Sequence, residues 1–308
     1  KNFKMSVNSA LQTSQTYIKT SDPNNVNSLK TALTTSVGLV GYSLLNFDDS
    51  LSISGTTYQV VQSKDNNKTT PTALPYITYL GGNKKYKEIN YDNKYQFYNI
   101  FRDISTTDHS QQQIKLSHVN KASTEIFKIK SKIDFRTEIH SQIYKTENKK
   151  INNQDYSYQT YRFFPMSGIF IQSPLKNINN DIIITPKLGF IINSGASNSS
   201  RISNEDSTNN TYSISSQGGL NRYSGTDKLD NSKRLNYELE LQKNKFKMNF
   251  SQNYEFTTNS NYHKEAGNTD YLSDALGSIS YNQSNELISN LFSYNIRYDV
   301  DAKGIKQQ

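Results

Sequence analysis

Residues 127–143 read Phe-Lys-Ile-Lys-Ser-Lys-Ile-Asp-Phe-Arg-Thr-Glu-Ile-His-Ser-Gln-Ile, and this stretch decides the fold class. Phe127, Ile129, Ile133, Phe135, Ile139 and Ile143 take the odd positions. Lys128, Lys130, Lys132, Asp134, Arg136, Glu138, His140 and Gln142 take the even ones. A helix would scatter those apolar residues round its circumference, whereas a strand gathers them on one face. The run is predicted as one strand of about 50 Å at about 3.3 Å per residue, longer than globular strands usually are. Such length suits a barrel wall that crosses a membrane and projects beyond it. A Lys or Arg facing lipid at the midplane costs about 2–4 kcal/mol. The odd face is therefore expected to meet the bilayer, and the even face the lumen or water.

The same period of two recurs outward from this stretch. Ile89, Tyr91, Tyr95, Phe97 and Phe101 alternate with polar positions, and further runs are expected at 3–11, 37–47, 51–61, 75–80, 169–172, 182–192, 235–241, 246–256, 276–281 and 287–299. Polar turn clusters separate them, the pattern of an antiparallel meander. At ~9–11 membrane residues per strand plus turns, the chain supplies roughly twelve to fourteen strands. No composition shift marks a boundary, so residues 1–308 are expected to form a single domain. The Ser/Asn-rich stretch 193–218 is expected to be a long polar surface loop. Pro75, Pro165, Pro174 and Pro186 stand at or near the starts of apolar runs, as expected of strand ends and bulges.

Composition narrows the function classes. Apolar residues are 33% of the 308, yet 22 Tyr and 14 Phe bring aromatics to 12%, far richer than disordered chains. A sheet with one apolar and one wet face reconciles the two. No stretch approaches the ~18–20 apolar residues of a membrane helix. With no Cys there is no thiol nucleophile and no Cys-ligated metal. His109, His118, His140 and His263 are too far apart for a short metal motif. No G-x-S-x-G elbow occurs; His140 beside Glu138 is the one imaginable pairing within a clear strand. No catalytic, cofactor or metal site is expected. The net charge of +8 is spread among acids rather than clustered, against a nucleic-acid partner. No charged-then-apolar leader opens at Lys1, so a processed chain or an interior piece is expected.

Less generic residues stand in an order that resembles the LptD/OstA family of outer-membrane lipopolysaccharide-assembly proteins. Thr16-Tyr17-Ile18-Lys19 with Leu29-Lys30-Thr31, then Tyr58-Gln59 and Leu74-Pro75, look like early barrel segments of that family. Arg162-Phe163-Phe164-Pro165, Ser173-Pro174-Leu175 and Thr185-Pro186 are similar to its Arg…Pro…Pro-Leu…Pro succession. Ser224-Gly225-Thr226-Asp227 resembles its Ser-Gly-x-Asp turn, and Ser273-Asp274 and Arg297-Tyr298-Asp299 continue the series. Each match is short; their collinear order carries the resemblance. Glu238 departs from it, standing where the family has Gly after Tyr.

The resemblance implies an all-β, antiparallel transmembrane barrel in the cell outer membrane. This chain would be an interior part of it, incomplete at both ends, without the family's periplasmic jellyroll or closing aromatic. It implies lipopolysaccharide transport and insertion into the outer leaflet, with lipid leaving between the first and last strands. Implied partners are lipopolysaccharide, an LptE-like lipoprotein plug and an LptA-like periplasmic bridge. Leu74, Pro75, Arg162, Pro165, Pro174, Leu175, Pro186, Gly225, Asp227, Ser273 and Asp274 are its structural motif positions. Lys128, Lys130, Lys132 and Arg136 are candidates for facing the lumen and lipopolysaccharide phosphates, or form a solvated strand face. A passive outer-membrane channel or porin and a surface β-rich adhesin are the alternatives.

Overall fold

The computed structural model describes residues 2–12, 17, 21, 32–61, 67–177, 181–194, 198–208, 213–257, 271–284, 289–299 and 303–307. Thr16, Ile18, Lys19, Leu29–Thr31 and His263 lie outside them, as does the start of the run expected at 287. The strands form one antiparallel 16-stranded sheet. They are β1 (Asn2–Asn8), β2 (Ala32–Tyr42), β3 (Ser50–Val60), β4 (Thr72–Leu80), β5 (Lys84–Tyr86), β6 (Ile89–Phe101), β7 (Gln112–Lys128) and β8 (Ser131–Ile151). Then come β9 (Gln154–Gln172), β10 (Leu175–Asn177), β11 (Ile182–Asn193), β12 (Lys233–Lys243), β13 (Phe246–Glu255), β14 (Ala275–Ser284), β15 (Ser289–Asp299) and β16 (Gly304–Gln307). Sequence neighbours pair in order, with short β5 and β10 beside the main path on β6 and β11. That path has fourteen strands, and among the described residues no ladder joins β1 to β16. The sheet is an open arc, a partial barrel.

Its faces are inverted relative to a water-soluble sheet. Leu116 on β7, Phe135 and Ile143 on β8, Phe163 on β9, Leu188 and Phe190 on β11 and Phe250 on β13 are exposed. Positions of the other parity hold Gln113, Lys115, His140, Arg234, Asn253 and Glu255, all buried. Exposing aliphatic surface while burying charge is unfavourable in water and suits a wall between lipid and a polar lumen.

Residues 127–143 are not one strand. β7 ends at Lys128, β8 starts at Ser131, and Ile129 (φ 52°) and Lys130 (φ 61°) form the two-residue turn between them. Two left-handed residues are the mark of the tight hairpin turn whose twist matches the strands it joins. Lys128 pairs with Ser131 and Phe127 with Lys132, and paired residues share a face. Ile133, Phe135, Ile139 and Ile143 keep the outer face expected of them. Phe127 instead joins Lys132 on the lumenal face, Lys128 joins Ser131 outside, and Ile129 and Lys130 sit at the tip. The expected cationic stripe is therefore broken: only Lys132 and Arg136 point into the lumen.

The prolines and glycines follow the ladder. Pro75 lies in a bulge where β4 shifts register against both β3 and β6. Pro186 occupies a gap, between the β10 ladder ending at Ile184 and the β9 ladder resuming at Lys187. A residue without an N–H costs least there. Pro165 is inside β9, not at a strand start, one residue before Met166 meets the last residue of β11. Phe170 faces Gly189 across the β9–β11 ladder, and a Cβ on that glycine would stand 2.8 Å from the ring. The ring covers the backbone that two glycines, Gly168 and Gly189, leave bare.

The two margins of the sheet differ. At one, the connections are short: 43–49, 81–88, 129–130, 173–181 and 244–245. At the other they include 61–71, 102–111, 194–232 and 256–274, together with the β8–β9 hairpin, which outruns its neighbours. Cysteine scanning of residues 126–136 in the full-length protein, read with a membrane-impermeant thiol reagent, should show a phase reversal at 129–130. Phe127, Lys132, Asp134 and Arg136 should label, and Ile126, Ile133 and Phe135 should be protected. Unbroken alternation from 127 onwards would contradict the hairpin.

Candidate functional site

The connection from β11 to β12 does not leave the sheet; its described residues fold back against the lumenal face. Asp227 anchors it. Its carboxylate accepts from Tyr98 Oη of β6 (2.9 Å), Lys115 Nζ of β7 (2.7 Å) and Tyr144 Oη of β8 (3.2 Å). The backbone N–H groups of Glu205 (2.8 Å) and Asp206 (3.0 Å) donate to its other side. Lys115 spends its three donors on Asp227, Asp206 (2.8 Å) and Thr226 Oγ1 (2.6 Å). Arg162 of β9 donates to the Asp227 carbonyl and the Tyr144 hydroxyl, each at 2.8 Å, and to the Thr226 carbonyl. One aspartate thus gathers inward side chains from β6, β7 and β8, with β9 joining through Arg162, and the sheet curls around it.

The turn that presents Asp227 depends on Gly225. Its φ is +72°, and a Cβ there would stand 2.1 Å from the Asp206 carbonyl oxygen. Glycine alone takes that conformation at such a close approach. Further anchors flank the hub. Arg102 grips Glu205 with two parallel bonds of 3.0 and 2.6 Å. Gln113 exchanges bonds of 2.8 Å with the Ser203 backbone in both directions. Arg222 bonds Asp230 (2.5 Å) and Glu255 of β13 (2.6 Å), and Arg234 of β12 reaches Asp230 at 3.2 Å. Leu220 and Leu229 of the insert pack on Phe164, Met166 and Ile191 of the wall, an apolar seat inside a polar lumen.

The stretch expected to be a surface loop, 193–218, belongs to this insert, and its Ser203, Ser207 and Gln217 are buried. Three of the motif positions, Arg162, Gly225 and Asp227, meet at the hub. Ser273 and Asp274 meet elsewhere: Asp274 takes Arg297 Nε at 2.6 Å, and Ser273 Oγ takes the Asn253 N–H at 2.8 Å. Leu74 and Leu175 are exposed on the outer face. His140 Nε2 lies 2.7 Å from Glu138 Oε1, whose partner oxygen is 3.2 Å from Lys121. That is an ion-paired stretch of wall. Sequence reading missed Tyr98, Lys115 and Tyr144; the signal was inward parity, which places each of them opposite the acid-bearing insert.

On the short-turn side of the insert lies a vestibule. One part, of about 1040 Å³, is lined by Lys132, Asp134, Arg136, Lys187, Glu238 and Glu240 and reaches Gly218 and Gly219 of the insert. A second, of about 790 Å³, shares Asp134 and Arg136 and reaches Leu220. Its charges are paired, Arg136–Asp134 (2.5 Å) along β8 and Lys132–Glu125 (2.5 Å), Lys187–Glu238 (2.7 Å) and Lys247–Glu240 (3.1 Å) between strands. Glu238 sits directly opposite Lys187 in a regular ladder and forms half of a cross-strand ion pair.

A lipid-facing wall with a polar inner face, against which its own insert folds, defines a transmembrane β-barrel. The profile of LptD, LPS transport system D, matches residues 1–308. The chain belongs to the LptD family. Among solved structures it is similar to BamA from Haemophilus ducreyi lacking POTRA domains 1–3, with 11% identity and a TM-score of 0.36. That match covers 89% of this chain and 66% of the other, so this chain spans just under two thirds of its length. No curated protein matches.

Burial pushes the Glu205 carboxyl up, but His109 at 3.6 Å and the Arg102 guanidinium outweigh it and bring it down to about 2. A carboxylate lowered on docking stabilises the docked insert fully above its ordinary value of 4.5 and loses that contribution as pH falls towards 2. Protection factors at 198–208, taken relative to intrinsic exchange at each pH, should therefore be high at pH 7 and fall between those limits. Asp227→Ala takes from Lys115 one of its two carboxylates and leaves the Glu205 and Asp206 N–H groups without their acceptor, at about 1–3 kcal/mol for each buried group left unsatisfied. Limited proteolysis at pH 7 should then cut within 198–208 in the variant and spare the parent; equal resistance would contradict the anchoring.

Proposed function

We propose that this chain forms part of the wall and internal stopper of a translocon that carries lipopolysaccharide to the outer leaflet of the outer membrane. Family membership supports lipopolysaccharide as the cargo. The observation that carries the route is the insert. It stops the lumen at the long-connection margin and leaves the vestibule open towards the short turns. Short turns are periplasmic and long loops extracellular in outer-membrane barrels, so the vestibule faces the periplasm. Cargo entering there meets a stopper instead of a pore and must leave sideways between strands.

The roles follow from that route. The paired charges around Arg136, Lys132 and Lys187 give lipopolysaccharide phosphates a polar surface with exchangeable partners. An LptA-like bridge delivers from the periplasmic side. An LptE-like lipoprotein occupies the vestibule beneath the insert. The motif prolines and Ser273–Asp274 shape the wall. The chemistry is transport, with no covalent step.

Depletion of the full-length protein tests the reading. Newly made lipopolysaccharide, followed by a surface-accessible modification, should fall several-fold at the cell surface and accumulate inside. Arrival at the normal rate would overturn the proposal. In planar bilayers the purified full-length protein should pass little current, and Asp227→Ala should raise it. A steady, large conductance in the parent protein would instead favour a passive channel.

A further inference from the structure

The outer face carries almost no charge along its membrane-facing stretch, yet lysines stand on it at the short-turn margin. Lys84 of β5 is opposite Tyr91, and Tyr86 is opposite Ile89; these share the parity of exposed Tyr95 and Phe101. Lys128 ends β7 on the same side as exposed Leu116 and Ile126. Lys243 ends β12 on the side of exposed Leu239 and is paired with exposed Phe246. Each lysine stands next to an exposed aromatic or aliphatic side chain: Lys128 and Lys243 at the ends of their strands, and Lys84 one same-face pair short of the hairpin tip formed by Tyr86 and Ile89.

Their neighbours on the lumenal side differ in one respect. Lys132 pairs with Glu125 and Lys247 with Glu240, whereas among the described residues Lys84, Lys128 and Lys243 have no acid within ion-pair distance. A lysine stem lies along apolar surface while its ammonium reaches the polar boundary. At that boundary the available counter-charge is a lipid phosphate, and a basic cluster beside an apolar band is drawn to anionic headgroups.

We propose that Lys84, Lys128 and Lys243, with Tyr86, Ile126 and Phe246, form a collar that binds the headgroups of anionic phospholipids at the short-turn margin. Each ammonium meets a headgroup phosphate and the apolar neighbours pack beside the same lipid. The collar needs only that the apolar band face a bilayer, so it stands independently of the cargo. It would hold the wall at a fixed depth and enrich anionic lipid around the vestibule mouth.

The test uses the full-length protein reconstituted from an equimolar mixture of phosphatidylglycerol and phosphatidylethanolamine, with retained lipid identified by native mass spectrometry. The parent should retain phosphatidylglycerol about fivefold over phosphatidylethanolamine. The K84Q/K128Q/K243Q variant should fall to no preference, and K84R/K128R/K243R should keep it. If the triple Gln variant does not fold, each single Gln variant should lose part of the preference. No preference in the parent, an undiminished preference in the Gln variants, or equal loss in the Arg variant overturns the collar. So does a Gln variant that keeps its lipid and instead loses a co-purifying periplasmic protein.

Discussion

A strand that shows its apolar side chains to lipid has only the lumen in which to place its charges. Strand geometry permits no third option, since side chains alternate strictly between two faces. Lys115, Arg162, Arg234 and Glu255 are therefore committed to the inside before any function is considered. A charge withdrawn from bulk water needs a partner. The partners come from the β11–β12 insert, through Asp206, Asp227, Asp230 and Arg222. The stopper is thus a consequence of the inverted wall as much as an addition to it.

Satisfaction at the hub is nearly complete, which makes it specific as well as stable. Removing one member leaves another buried and unpaired, at a cost well above that of a surface ion pair. The apolar seat of Leu220 and Leu229 adds contact but no direction; bidentate and multi-acceptor bonds fix the register of the insert. The vestibule works differently. Its ion pairs are partly wet where those of the hub are dry, and they exchange partners with an incoming anion more readily than the hub does.

The fold was legible because alternation survives local noise: the outer residues of β8 and β11 follow directly from the sequence. The turn at 129–130 was hidden because Phe-Lys-Ile-Lys-Ser-Lys keeps alternating through it, with no Gly, Asn or Asp to mark it. A two-residue turn reverses which parity faces inward, so every assignment before it was inverted, Phe127 and Lys128 included. The insert was misread because Ser and Asn dominate its composition. Its acids and Arg222 were the informative residues, since each matches an inward charge on a strand far away in sequence. Spacing along one chain does not reveal such partners. Arg162, Gly225 and Asp227, which carry part of the family resemblance, are among the residues that meet at the hub.

The central claim is that this insert lies inside the lumen, tied to the wall. These 308 residues contain no cysteine, so with any cysteine elsewhere in the full-length protein replaced by serine, a single introduced pair gives an unambiguous signal. Gln113 of β7 bonds the Ser203 backbone at 2.8 Å, whereas its neighbour Ile114 points outward. In intact cells producing the full-length protein, a short bifunctional thiol reagent should cross-link Q113C/S203C and leave I114C/S203C open. Failure of the first pair to cross-link in a folded barrel, or equal cross-linking of both, would contradict the account.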